Sequence, residues 1–209
     1  MTPLKLPDAS RNAMQDLPQQ GLIIEGWKTE EQNAIELGKQ AWSIQQLVPT
    51  NETQTDSSVF LLLRPQIYGG DQPEVEWIDI SGLQRWKTDS HQKLQFTPLT
   101  EASESKGHSP EATVTADFFR AWTAEQTYAV MQWYAWPTGG HPSPTRWFWA
   151  DQKVQWQHRQ RLPWTAISLW IPIEPLGSAA EKKDLAQSIG KNVQRSLTET
   201  VFKNEGDSS

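Results

Sequence analysis

The stretch from Tyr128 to Trp149 constrains this chain more than any other: Tyr-Ala-Val-Met-Gln-Trp-Tyr-Ala-Trp-Pro-Thr-Gly-Gly-His-Pro-Ser-Pro-Thr-Arg-Trp-Phe-Trp. It opens as a strand. Val130, Gln132, Tyr134 and Trp136 alternate with Ala129, Met131, Trp133 and Ala135, and aromatic and β-branched side chains suit a pleated, half-buried surface. Pro137 stops the ladder because it has no amide hydrogen to donate. Gly139-Gly140 admits positive φ, so a sharp reversal is expected there, before His141. Ser143-Pro144 has the pattern of an N-cap followed by the first helical position, where proline is best tolerated. Trp147, Ala150, Val154 and His158 then follow at helical spacing. Strand, stiff loop and helix are written into one segment.

What surrounds this segment is set by a shortage of aliphatics. The hydrophobic share is 36% of 209 residues, yet there are 12 Trp, so the core is expected to rest on a few large rings. The net charge of −6 argues against a phosphate-binding surface, which needs clustered Lys and Arg. Read along the chain, no stretch is cationic enough to hold anionic lipid. Without Cys there are no disulfides and no thiolate metal sites. The longest aliphatic run, Val59 to Leu63, is far too short to cross a bilayer.

The rest of the chain divides by its periodicity. Residues 1–20 are polar with scattered prolines and read as a disordered tail or linker. Residues 21–203 read as a single domain and 204–209 as a second tail. Within the domain, Asn33–Leu37 and Gln40–Val48 flank Gly38-Lys39 as a hairpin. Val59–Arg64 is a buried strand, Glu74–Ile80 a weaker one, Leu83–Thr88 a short helical turn and Leu94–Pro98 a short extended piece. Thr100–Glu111 has the composition of a mobile loop. Thr113–Trp122 and Gln126–Trp136 make a second hairpin, Thr145–His158 a helix and Ala166–Ile173 a strand. Ser178 with Glu181 forms a capping box, ahead of a stripe of Leu185, Ile189, Val193, Leu197 and Val201. Hairpins first and helices late predict an α+β fold, an antiparallel sheet with a mid-chain helix and a long C-terminal helix packed on it.

Catalytic patterns are sparse. His91, His108, His141 and His158 share no metal-ligand spacing. No Gly-x-Ser-x-Gly elbow or Cys nucleophile is present, and no Lys-Ser/Thr follows Gly139-Gly140 as a phosphate loop would require. Asp117, Glu125 and Asp151 have no spacing that marks an acid–base pair. The chain is therefore read as a non-enzyme without cofactor or metal. The aromatic loop has two readings: its rings are core, or Trp136, His141, Arg146, Trp147 and Trp149 form a partner-binding surface, since Trp and Arg are the types that anchor interfaces. Arg146 lies in the first helical turn, where a cation opposes the helix dipole, so an anionic or aromatic partner is expected for it.

The run from Trp133 to Pro144, continued by Trp147-Phe148-Trp149-Ala150-Asp151-Gln152, resembles the cyanoexosortase B system-associated protein family. Pro163-Trp164-Thr165-Ala166-Ile167-Ser168, Ile171 to Gly177, Gly26-Trp27 and Trp42 to Gln46 are similar too. The resemblance implies a non-catalytic accessory protein of a cyanobacterial exosortase, an integral-membrane enzyme tied to protein sorting or exopolysaccharide export. It implies membrane association on the periplasmic or thylakoid-lumenal side through an N-terminal helix. Residues 1–20 hold no such apolar span, so the chain as given reads as soluble, with an anchor expected upstream. An alternative is a lumenal accessory or assembly protein of photosystem II, suggested by a sheet between helices. A third is a polysaccharide-acting enzyme whose Trp rings stack on sugars.

Overall fold

The computed structural model describes residues 5–37, 40–51, 58–73, 86–98 and 112–202. They build one mixed, mostly antiparallel sheet of eight strands with three α-helices, an α+β fold as the hairpin order predicts. The strands are β1 (Trp27–Leu37), β2 (Gln40–Pro49), β3 (Val59–Pro65), β4 (Lys87–Phe96), β5 (Val114–Trp122), β6 (Thr127–Trp136), β7 (Gly139–His141) and β8 (Thr165–Ile173). Their order across the sheet is β1-β2-β3-β8-β6-β7-β5-β4, with β6 also pairing β5. Every residue of β6 is buried. Strand β8 lies along its whole length, Thr127 opposite Ile173 and Ala135 opposite Thr165. The stretch that dominates the sequence is thus the middle of the sheet.

Period-two alternation divides the sheet into two apolar faces. On the first face Leu61, Leu63, Met131, Trp133, Ile167 and Leu169 pack against helix α1 (Asp8–Gln20) and the C-terminal helix. On the second, Trp42, Leu62, Tyr128, Tyr134, Trp164 and Trp170 pack with Trp147 of helix α2 (Pro144–His158). This second core is built from rings meeting edge to face: Tyr134 and Trp164 at 5.7 Å, Trp147 and Trp164 at 6.3 Å, Trp86 and Trp170 at 4.8 Å. Large rings supply the area that the low aliphatic content withholds.

The C-terminal stripe behaves as its spacing predicts. Ile189, Val193, Leu197 and Val201 are buried and Leu185 is partly buried. The helix is composite: a 3-10 turn over Ala179–Lys182, helix α3 (Lys183–Ser196) and a π turn over Leu197–Val201. Ser178 caps the 3-10 turn, accepting from the Ala180 amide at 3.3 Å. Gly190, costly in an isolated helix, has a packing reason. A Cβ there would stand 2.6 Å from Met131 Cε and 3.0 Å from Phe96 Cζ, so the glycine lets α3 lie close on the sheet.

Three expectations are corrected. Residues 8–20, taken as part of a disordered tail, form α1, with Ser10, Met14, Leu17 and Pro18 buried. The stripe is short and one position is a serine, so the local signal is weak; packing on β1, β2 and β3 makes the helix. Lys87-Thr88 begin strand β4 instead of closing a helical turn, because they pair with Trp122 and Ala121. The third concerns the glycines before His141: the chain reverses at Pro137-Thr138, and Gly139-Gly140 already pair back on Trp136 and Ala135 as β7. Gly38-Lys39, Glu74–Ile80, residues 83–85, Thr100 and the loop up to Glu111, and the tail 204–209 lie outside the described residues.

Candidate functional site

A short β-hairpin, β6–turn–β7, delivers the chain into α2. Its tightness explains its glycines. Gly139 has φ +151, a conformation side chains rarely adopt, and a Cβ there would meet the Thr113 carbonyl oxygen at 2.9 Å. A Cβ on Gly140 would stand 2.8 Å from Trp133 Cδ1. Behind the hairpin, one buried amide from α3 holds three groups. Gln194 Oε1 accepts from Trp133 Nε1 at 3.0 Å, and Gln194 Nε2 donates to the carbonyls of Trp136 at 3.1 Å and Gly139 at 3.2 Å. The turn is therefore tied to the core from beneath.

Helix α2 is fixed in a similar way. Its inner side presents Trp147, whose Nε1 donates to the Leu162 carbonyl at 3.3 Å. Asp151, also buried, accepts from the Leu162 amide at 2.8 Å and from Gln155 Nε2 at 2.6 Å, and pairs with Arg161 at 3.2 Å. The Arg161 guanidinium also lies 5.3 Å over the Trp147 ring. A buried carboxylate satisfied on all sides by one helix and the segment after it is a structural clamp.

The residues singled out from the sequence separate by exposure. Trp136 (8% exposed) and Trp147 (1%) are core rings and are withdrawn as contact residues. In each case the helical or strand spacing directs the ring into the second core. His141 is half-buried, and its Nδ1 accepts the Ser143 amide at 3.0 Å, so it shapes the loop. Arg146 is exposed, and among the described residues no ion pair or ring contact engages it, so the expected partner is not found there. Trp149 is 67% exposed. Sequence reasoning overlooked Phe148 (41%) and Trp156 (88%), which stand out from the same helix. The signal was available: Trp149 and Trp156 are seven apart, on the side of the helix opposite Trp147 and Val154.

Burial holds the His141 pKa below its ordinary value, and the positive charges of Arg146 and Lys93 push it the same way. A histidine whose folded pKa is depressed binds fewer protons when native than when unfolded. Its contribution is then fully present above the unfolded value, near 6.5, and is lost as pH falls from there through the lower folded pKa. Acidification from about pH 7 to 5 is expected to lower the melting temperature. In His141→Asn the drop should be smaller, and parallel pH–melt curves for the two proteins would exclude this role.

No group of three or more His, Asp or Glu that could hold a metal occurs among the described residues. The carboxylates considered for catalysis are engaged or apart: Asp117 pairs with Lys93, Glu125 sits in the exposed β5–β6 turn and Asp151 is inside the α2 clamp. No helix among the described residues is long and apolar enough to cross a membrane. Comparison with known proteins returned no matching family model, no matching curated protein and no matching solved structure. What remains at the site is a rigidly mounted, exposed aromatic and basic surface made by the loop and the outer side of α2.

Proposed function

We propose that this protein is a non-catalytic accessory protein that acts by contact with an integral-membrane partner, an exosortase on the family resemblance of its Trp133–Gln152 region. The contact surface is the loop from Pro137 to Arg146 with the first exposed turn of α2. One observation carries this reading: Phe148 and Trp149, with ring centroids 5.4 Å apart, stand exposed beside Arg146 on a support locked by Gln194 and Asp151. Trp and Arg anchor interfaces because they bring large rigid area and a polar end, and a preformed surface loses little entropy on binding.

The test is co-purification with detergent-solubilised exosortase. Arg146→Ala with Trp149→Ala should keep the melting temperature of the parent, since both side chains are exposed. Capture should weaken by about a hundredfold, the loss expected of two anchor residues. Undiminished capture by the folded double variant removes the surface from the site. Failure of the parent chain to co-purify removes the exosortase as partner.

A further inference from the structure

We propose that the outer face of α2, centred on Trp149, Lys153 and Trp156, docks on a membrane surface carrying anionic lipid. The face shares Trp149 and Arg146 with the partner surface proposed above and extends it along α2 to Lys153 and Trp156, and vesicle binding without any protein partner tests it separately. Seven residues of helix place the two indoles about 10 Å apart on one side, along a line parallel to the helix axis. Both are mostly exposed, at 67% and 88%. Indoles of this kind favour the headgroup level of a bilayer, where the ring is apolar and the N–H stays wet.

Charge decides in favour of anionic lipid. Between Pro137 and Pro163 the one carboxylate is Asp151, and it is buried and paired with Arg161. Arg146, Lys153 and Arg159, all exposed, are therefore left on the outer side of α2 and at its C-terminal end without a surface carboxylate among them. The whole chain carries −6, so this face opposes the sign of its own protein. By sequence the segment already has an excess of basic residues, Arg146, Lys153, Arg159 and Arg161 against Asp151; the fold pairs Asp151 with Arg161 and leaves the other cations exposed. Because α2 is already clamped to the sheet, docking costs no helix formation, unlike the binding of a free amphipathic peptide.

The experiment uses the full chain with vesicles of phosphatidylcholine alone and with about 30% phosphatidylglycerol, read by sedimentation and by the emission of the exposed Trp. Binding is expected to the anionic vesicles only, to weaken with salt, and to shift the emission to shorter wavelength. Lys153→Glu should weaken partitioning by about fivefold or more, the contribution of one basic side chain at such a surface. Trp156→Ala, which lies outside the partner surface, should weaken it by about fivefold or more while leaving capture of the protein partner unchanged. Both variants should melt like the parent. No binding to anionic vesicles at low salt, or unchanged binding of the folded variants, overturns the proposal. So does binding to a soluble acidic polysaccharide with none to vesicles, which would assign the face to glycan.

Discussion

Val193→Asp is expected to destabilise the protein by roughly 4 kcal/mol or more, a fall in melting temperature of about 10 °C for a chain of this size. Val193 is fully buried in the first core, between α3 and the sheet. The new carboxylate would lose its water and gain no cation there, and no surface route lets it escape without lifting the helix. Val193→Ala supplies the calibration, because it removes methyl groups without adding charge and should cost about 2 kcal/mol. Thermal and urea unfolding of the three proteins reads both effects. A Val193→Asp protein that melts within a degree or two of the parent would mean that the C-terminal helix is not part of the core.

Gln194→Leu should cost about 3 kcal/mol or more, although leucine is nearly the same size. The substitution leaves the Trp133 indole N–H and the carbonyls of Trp136 and Gly139 without the amide that now satisfies them. A buried polar group deprived of its partner costs about 1–3 kcal/mol. The effect should also be local. Amide hydrogen exchange at the Thr138–His141 turn should accelerate more than exchange in β8, which pairs with the far side of β6. Loss of stability with no change in that ratio would show that Gln194 acts as bulk core and does not hold the loop. The two substitutions concern neighbours on one helix turn, and they separate apolar packing from polar positioning.

The strands of the central sheet were legible because their pattern is dense. Val59–Pro65, Thr127–Trp136 and Thr165–Ile173 are continuous or alternating apolar runs ended by a proline or a turn, and such runs have few other places to go. The hairpin register Leu37 opposite Gln40 follows from a connection of two residues. The stripe of α3 was equally plain. Helix α1 was not, since Pro18 stands inside it and, of its buried residues Ser10, Met14, Leu17 and Pro18, only Met14 and Leu17 are large and apolar. Strand β7 is three residues long, too short for any period to show. Its glycines suggested a reversal, whereas they answer to the Thr113 carbonyl and the Trp133 ring beside them.

For the site, residue types pointed to the right segment and left the sorting to the fold. Composition pointed to a core of rings, which holds for the second face, whereas the first is mainly aliphatic; period determined that β6 crosses the middle of the sheet. The order of strand, stiff loop and helix was equally a property of the chain, because proline and glycine restrict the backbone wherever they stand. Which rings face water was decided by packing. Trp147 and Trp149 are two residues apart, on opposite sides of α2 by helical spacing, and one is 1% and the other 67% exposed; which of the two sides faces the sheet was set by the fold. The difference comes from the direction in which α2 meets Trp164 and Leu162. The same holds for charge. Asp151 looks like one more surface carboxylate in the sequence. The tertiary structure alone brings Arg161 and the Leu162 amide to it, and with that pair inside only Arg146, Lys153 and Arg159 stay exposed along α2.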